Sequence, residues 1–230
     1  MEISVIMPVY NEVDNIEPAL EAAENALKKG FKNYEIIFIN DGSIDGSRKK
    51  LLEAAEKNER VRVINFEKNM GQTAATFAGV NAAAGKLIVT MDSDMQTSPD
   101  DIYILLDYID QYDFINGRRE RREDGIVKLI SSKVGNGIRN LLTGDKIQDT
   151  GCPLKLFKKE CKEAFLNLNG MHRFMPTLAK IAGYRVVEVP VRHFDRKYGK
   201  SKYGVMNRAF RGLYDALGVR WIKSRYIKFN

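Results

Sequence analysis

Asp92-Ser93-Asp94-Met95-Gln96 is the segment of this sequence richest in potential ligands. In extended chain alternate residues point the same way, so Asp92, Asp94 and Gln96 would present three oxygens to one centre. Oxygen-only donors suit a hard divalent cation, Mg²⁺ or Mn²⁺, with open positions left for diphosphate oxygens. An acidic turn leading into a helix is the plainer reading of an isolated D-x-D. Here the motif follows Leu87 to Met91, an apolar run that reads as a buried strand. Two more polar clusters, Tyr10 to Glu12 and Asp41 to Ser43, also follow apolar runs.

The elements that must position these clusters alternate in type over the first 115 residues. Ile3 to Met7, Tyr34 to Ile39, Val61 to Ile64, Leu87 to Met91 and Phe114-Ile115 read as strands. Helices fill the gaps. Asp14 with Glu17 resembles a capping box, and Ser98 before Pro99 opens another helix with Asp100 and Asp101 in its first turn. The pattern predicts an α/β fold, a mainly parallel sheet with helices on both faces. Ligands bind such sheets at the carboxyl ends of the strands, beside a switch in strand order, and all three polar clusters fall there.

The second half is less regular. Gly125 to Leu142 reads as a basic amphipathic helix, Leu154 to Phe157 as a strand, Met175 to Gly183 as a helix and Arg185 to Val191 as a strand. Residues 195–204 form a basic loop. From Val205 a helix groups Met206, Phe210, Leu213, Tyr214 and Leu217 on one face and Arg208, Arg211 and Asp215 on the other. Charge is divided unevenly: residues 1–115 carry 11 Lys and Arg against 20 Asp and Glu, and residues 116–230 carry 26 against 10. A basic half of that strength suits an anionic partner: nucleic acid, phosphate groups or a membrane surface.

The chain has 230 residues, 44% hydrophobic and 29% charged, as expected of a soluble protein able to bury its own core. Cys152 and Cys161 form no metal or redox motif and read as reduced thiols. No apolar run approaches the roughly 20 residues a membrane span needs, and the N-terminus has no secretory signal pattern. A cytoplasmic protein is expected.

Val5-Ile6-Met7-Pro8-Val9-Tyr10-Asn11-Glu12, Asn40 to Gly46, Asn69-Met70-Gly71 and Asp92 to Gln96 together resemble glycosyltransferase family 2. Within it, Asp149-Thr150-Gly151-Cys152, His172-Arg173-Phe174 and Arg196 through Tyr203 resemble the polyprenyl-phosphate glycosyltransferases, the group containing dolichol-phosphate mannose synthase. The resemblance implies a GT-A type fold and transfer of a sugar from a UDP- or GDP-sugar to a polyprenyl phosphate. It divides the chain into a catalytic domain, residues 1–204, and an appendage, residues 205–230. Residues 1–115 would bind the nucleotide-sugar and 116–204 the acceptor. It implies that Pro8, Tyr10, Glu12 and Asp41 hold the nucleoside, and that Asp92, Asp94 and Gln96 hold the metal diphosphate. Arg196 and Lys202 would close over that diphosphate, and Arg118, with Ser131 or Ser132, would meet the acceptor phosphate. Asn40 departs from the family's usual aspartate, which leaves UDP or GDP open.

An acceptor that is already an anionic phosphate needs no strong general base, which fits the absence of a conspicuous catalytic His or Cys. Arg119, Lys128, Lys133 and Arg139 add positive charge for it. His172 and His193 read as positioning residues, and Asp149 as a candidate on the acceptor side. Arg220 to Phe229 interleaves cations with aromatics, which suits the cytoplasmic face of a membrane. The remaining readings are a soluble glycan or protein acceptor, a nucleotidyltransferase and a basic nucleic-acid-binding module. No nucleic-acid motif supports the last, and no phosphate loop near the N-terminus supports the nucleotidyltransferase.

Overall fold

The computed structural model describes residues 1–120, 137, 139–195 and 205–227, with backbone only at 205–211. Seven strands form one sheet: β1 (Ile3–Val9), β2 (Tyr34–Asn40), β3 (Val61–Asn65), β4 (Leu87–Thr90), β5 (Phe114–Arg119), β6 (Lys155–Lys158) and β7 (Val186–Val191). Their order is β3-β2-β1-β4-β6-β5-β7. Every pairing is parallel except those of β6 with β4 and with β5. β5 and β7 therefore run the same way as β1, β2 and β4, and all five carboxyl ends share one edge.

Strand alternation sorts the core into two layers. Ile3, Val5, Met7 and Val9 of β1, with Ile36 and Phe38 of β2, face one layer. They pack on α1 (Ile16–Lys28), α2 (Ser47–Lys57) and α4 (Ile102–Leu106). Ile6, Ile37 and Ile39 face the other, against α3 (Gln72–Ala82), α5 (Met175–Ala182) and α6 (Val205–Arg225). Both faces are covered, so β1 and β2 read as almost unbroken apolar runs.

Several expectations shift in detail. β5 runs to Arg119, longer than its apolar core, because β6 and β7 flank it and carry the pairing outward. Helix α1 begins at Ile16 with Asn15 at its N-cap, and no side-chain cap bond is made. The Asp14 capping box does not form; Glu12 accepts from Asn15 Nδ2 at 2.6 Å, which fixes the turn instead. Ser98 does cap, accepting from Asp100 N, but it opens a 3-10 turn before α4. The basic helix expected from Gly125 falls mostly outside the described residues; residues 139–143 are helical.

The C-terminal helix keeps Leu213, Tyr214 and Leu217 on one face and Asp215 on the other, and it is the apolar face that points outward. The side chains of Met206, Arg208, Phe210 and Arg211 lie outside the described residues. Leu213, Tyr214 and Leu217 are exposed, Tyr214 by 79%. Ala216 and Val219 are fully buried and Ile222 packs beside them, while Asp215 turns inward to pair with Arg173 at 2.7 Å. The small side chains face the core because they let the helix approach it closely. Gly218 lies inside this helix, which continues to Arg225.

One buried acid ties three neighbouring strands and the loop after α3 together. Glu35 in β2 accepts from Ser4 Oγ (2.6 Å), Ala84 N (2.7 Å) and Arg62 Nη1 (2.6 Å). Burial alone would raise its pKa, but these three donors together hold it below the usual 4.5. Because the folded value is the lower one, the stabilisation is complete above 4.5 and is lost as pH falls through the folded value. Between about pH 5 and pH 3 the wild-type protein should lose more stability than Glu35→Gln, measured by urea unfolding. Glu35→Ala leaves the Ser4 hydroxyl and Ala84 N–H without their partner and should cost about 3 kcal/mol at neutral pH.

Candidate active site

The strand order switches at β1, whose neighbours β2 and β4 lead away on opposite sides. A cavity of about 130 Å³ opens at the carboxyl ends there. It is lined by Pro8, Val9, Tyr10 and Glu12 after β1, Asp41 after β2, Asn69 and Gln72 at the start of α3, and Asp92, Ser93 and Asp94 after β4. A larger hollow of about 230 Å³ lies at the far end of α3, among Phe77, Asn81, Lys162 and Phe165, away from these loops.

The loops are tied to one another. Asn11 N donates to Ser43 Oγ (2.9 Å) and Ile44 N to Asn11 Oδ1 (2.8 Å). Glu12 N donates to Ser47 Oγ and Val13 N to Asp45 Oδ2, both at 3.1 Å. Asn11 sits at φ 52°, a left-handed conformation that asparagine tolerates. Gly42, at φ 67°, lies so close that a Cβ would overlap the Lys68–Asn69 backbone.

Asp41 is the hub of this side, 3% exposed. Its carboxylate accepts from Asn69 Nδ2 (2.9 Å), Met70 N (2.6 Å) and Gly71 N (2.9 Å). Burial raises its pKa, and the Met70 and Gly71 amides pull it back. Asn40 lies outside the cavity: its Oδ1 caps Ser43 N and its Nδ2 donates to Asn65 Oδ1. The residue standing in place of the usual aspartate therefore holds the turn at Ser43 and the end of β3.

The D-x-D segment is not extended. It turns at Ser93-Asp94, with Met95 at φ 60°, closed by Gln96 N donating to Asp94 Oδ1 at 3.2 Å. Asp92 and Asp94 line the cavity, and Gln96 is not among its lining residues. The Gln96 carbonyl accepts from Phe194 N at 2.9 Å and so anchors the chain that leaves β7. Gln72 Nε2 donates to Asp92 Oδ1 at 3.1 Å. Next to it Thr73 Oγ1 accepts from Gly170 N and lies 2.6 Å from His172 Nδ1. Burial, then the charges of Arg173 and Lys155, push His172 down to about 3, so its imidazole is neutral near pH 7.

Across the edge stand Arg118 and Arg119 at the end of β5. Arg118 Nη1 donates to Gln148 Oε1 at 3.0 Å. Arg119 grips Asp149 with Nε (2.7 Å) and Nη2 (2.8 Å). Burial opposes the Arg119 charge, but the hydrogen bonds and charge of Asp149 outweigh it.

Residues 4–165 match the family description Glycosyl transferase family 2. The chain belongs to glycosyltransferase family 2. It is 36% identical over 206 residues to the undecaprenyl-phosphate 4-deoxy-4-formamido-L-arabinose transferase of Edwardsiella ictaluri, covering 89% of this chain and 63% of that protein. To the protein of the same description from Klebsiella pneumoniae it is 37% identical over 216 residues, covering 93% and 66%. The chain thus spans about two thirds of the length of these relatives. Among solved structures it resembles Mycobacterium tuberculosis glucosyl-3-phosphoglycerate synthase in complex with UDP, with a TM-score of 0.68 and 17% identity over 94% of this chain and 80% of that one. It also resembles a Pyrobaculum calidifontis mannosyltransferase in complex with GDP-Man and Mn²⁺, with a TM-score of 0.64 and 15% identity over 96% and 73%. These two likenesses establish the fold.

Of the residues the sequence singled out, Pro8, Tyr10, Glu12, Asp41, Asp92 and Asp94 meet at one cavity and Arg118 stands at the same edge. Arg196, Lys202, Lys128, Lys133, Ser131 and Ser132 lie outside the described residues. Gln72 and the Arg119–Asp149 pairing emerge only in three dimensions. The signal available for Arg119 was strand alternation, which sends Arg118 and Arg119 to opposite faces of β5.

The donor set fits a divalent cation in one way. Among the described residues no group of three His, Cys, Asp or Glu could hold an ion alone. An ion here would rest on Asp92 and Asp94 and take its other oxygens from a diphosphate and water, the usual manner of Mg²⁺.

Asp41→Asn replaces one acceptor oxygen with an NH₂ group that must face the donors of residues 69–71. The variant should lose about 2 kcal/mol in urea unfolding and show faster hydrogen exchange at the Met70 and Gly71 amides.

Proposed function

We propose that this protein transfers a sugar, with inversion, from a UDP- or GDP-sugar to a polyprenyl phosphate at a membrane surface, assisted by Mg²⁺ or Mn²⁺. The observation that carries this reading is the edge itself. An acid-lined cavity opens at the switch point, and Arg118 and Arg119 stand at the carboxyl end of β5 on the same edge of the sheet. The names of the relatives, which cover about nine tenths of this chain, support the acceptor class. The UDP and the GDP-Man with Mn²⁺ named for the neighbouring structures support the donor class and the metal.

In this reading Tyr10, Glu12 and Asp41 border the nucleoside, with Asp41 also holding the 69–71 loop. Asp92 and Asp94 hold the metal, which would stabilise charge on the departing diphosphate. Gln96 acts through its backbone, whose carbonyl holds Phe194 N–H and so anchors the chain that leaves β7. Arg196 and Lys202, which lie outside the described residues, take the role of stabilising the departing diphosphate. Arg118 meets the acceptor phosphate. That phosphate attacks as an anion, so no general base is required. The carboxylate of Asp149 is engaged by Arg119, and the neutral His172 is unsuited to proton transfer near pH 7.

A screen of UDP- and GDP-sugars with and without a short polyprenyl phosphate tests the proposal. Lipid-dependent transfer, abolished by EDTA and restored by Mn²⁺ or Mg²⁺, is the expected result. Asp94→Asn should lower kcat by about 10²-fold or more, on the scale of losing a preorganised electrostatic contact. Transfer that proceeds fully in EDTA removes the metal from the reading, and transfer only to soluble glycans or proteins removes the lipid.

The outer face of α6 suits the membrane. Leu213, Tyr214, Leu217 and Trp221 are exposed beside Arg220, and Tyr226 and Ile227 follow. Lys228 and Phe229 lie outside the described residues. Among the described residues no helix is long and apolar enough to cross a membrane. Truncation before Val219 would open the core, because Val219 is fully buried, so substitutions on the outer face are the sound probe. Tyr214→Ala with Trp221→Ala should reduce cosedimentation with anionic vesicles by about tenfold or more while leaving the thermal midpoint near wild type. High salt should weaken the remaining binding, because each basic residue near the surface contributes about 1 kcal/mol by charge.

A further inference from the structure

Among the described residues, a buried lysine has no task in the reaction proposed above. Lys155 opens β6 in the middle of the sheet, opposite Thr90 of β4 and Asn116 of β5, and is only 3% exposed. Its neighbours in β6, Leu156 and Phe157, are fully buried apolar residues. Among the described residues its amino group has two partners, the carbonyls of Thr150 (3.3 Å) and Cys152, and no carboxylate within ion-pair distance. Burial depresses its pKa. A lysine placed so is costly unless its hydrogen bonds matter, since an aliphatic chain would fill the same space without that cost.

What those bonds hold is the turn that carries Asp149. The same turn is held from other sides. Asn116 Nδ2 donates to the Asp149 carbonyl at 3.0 Å. Glu188 accepts from Gln148 N (2.6 Å) and Asp149 N (2.8 Å), and Thr90 Oγ1 donates to the Pro153 carbonyl at 2.9 Å. Gly151 leaves room for the Arg119 guanidinium, whose Nη2 would lie 3.3 Å from a Cβ there. Lys155 supplies the grip from beneath, at the two carbonyls on either side of Gly151.

We propose that Lys155 is a positioning residue for the acceptor side: its buried amino group fixes the Thr150 and Cys152 carbonyls and so sets the Asp149–Arg119 pair at the carboxyl edge. The assignment to the acceptor rests on the function proposed above; the grip on the turn does not. Displacing that pair misaligns the acceptor phosphate with the anomeric carbon, a change to which in-line attack is sensitive.

Two measurements test it. Lys155→Met keeps an unbranched side chain of similar length and removes the N–H donors. Hydrogen exchange across residues 147–153 is expected to speed up in this variant, with little change at residues 69–73. The ratio of sugar transferred to a short polyprenyl phosphate over sugar released to water is expected to fall by about 10- to 100-fold. Lys155→Arg retains donors for both carbonyls and is expected to recover most of that ratio. Unchanged exchange in the Met variant overturns the positioning role, whatever the acceptor is. Parallel loss of transfer and hydrolysis overturns its confinement to the acceptor side. If the Met variant does not fold, a folded Arg variant that has lost the ratio overturns the proposal by itself. A wild-type protein that transfers to no polyprenyl phosphate overturns the proposed function alone, and the exchange measurement still decides the role of Lys155.

Discussion

β1 is bonded on one side to β2 and on the other to β4, all three parallel, so three chain segments must leave the sheet at one edge with their backbone polar groups in need of partners. The loops satisfy that need by bonding to each other, Asn11 with Ser43 and Ile44 on one flank and Asp41 with residues 69–71 on the other. The cavity is the gap left where the β1 and β4 exits diverge. Its acids are therefore fixed by structural bonds before any ligand arrives, which is what preorganised electrostatics requires.

The basic side of the edge is built differently. β6 enters the sheet antiparallel between β4 and β5, so the turn before it, residues 148–154, crosses the same edge from the other direction. Arginines from β5 and the helical stretch at 139–143 converge on this turn: Arg118 on Gln148, Arg119 on Asp149 and Arg139 on Thr150 Oγ1. Part of the positive charge in the second half of the chain is thus committed to holding a turn in place. The charge asymmetry in the sequence signals an anionic partner only for the cations that are not spent in this way.

The C-terminal helix divides its side chains between the core and the surface. Ala216, Val219 and Ile222 dock on the layer formed by α3 and α5, and Asp215 fixes its rotation through Arg173. Leu213, Tyr214, Leu217 and Trp221 are left outward, in a stripe with Arg220. Docking through Ala216 and Val219 thereby leaves Tyr214 and Trp221 on the surface, the arrangement on which the proposed lipid contact rests.

The alternation of strands and helices, the three polar clusters at strand ends and the acidic pair were legible in the sequence, because each depends on residues adjacent in the chain and on simple periodicity. Asp92 and Asp94 could be placed at the end of β4 for that reason, and Tyr10, Glu12 and Asp41 at the ends of β1 and β2 likewise. The turn at Ser93-Asp94, which takes Gln96 out of the cavity wall, follows from a left-handed Met95 and a bond to Phe194 about a hundred residues on. The same holds for the Asp41 grip on Gly71, the Thr73 contact with His172, the inward face of α6 and the place of Lys155. Each joins segments 30 or more residues apart or depends on what lies across the sheet. Local sequence set which residues could form the site; strand order, fixed only by packing both faces of the sheet at once, decided which of them meet.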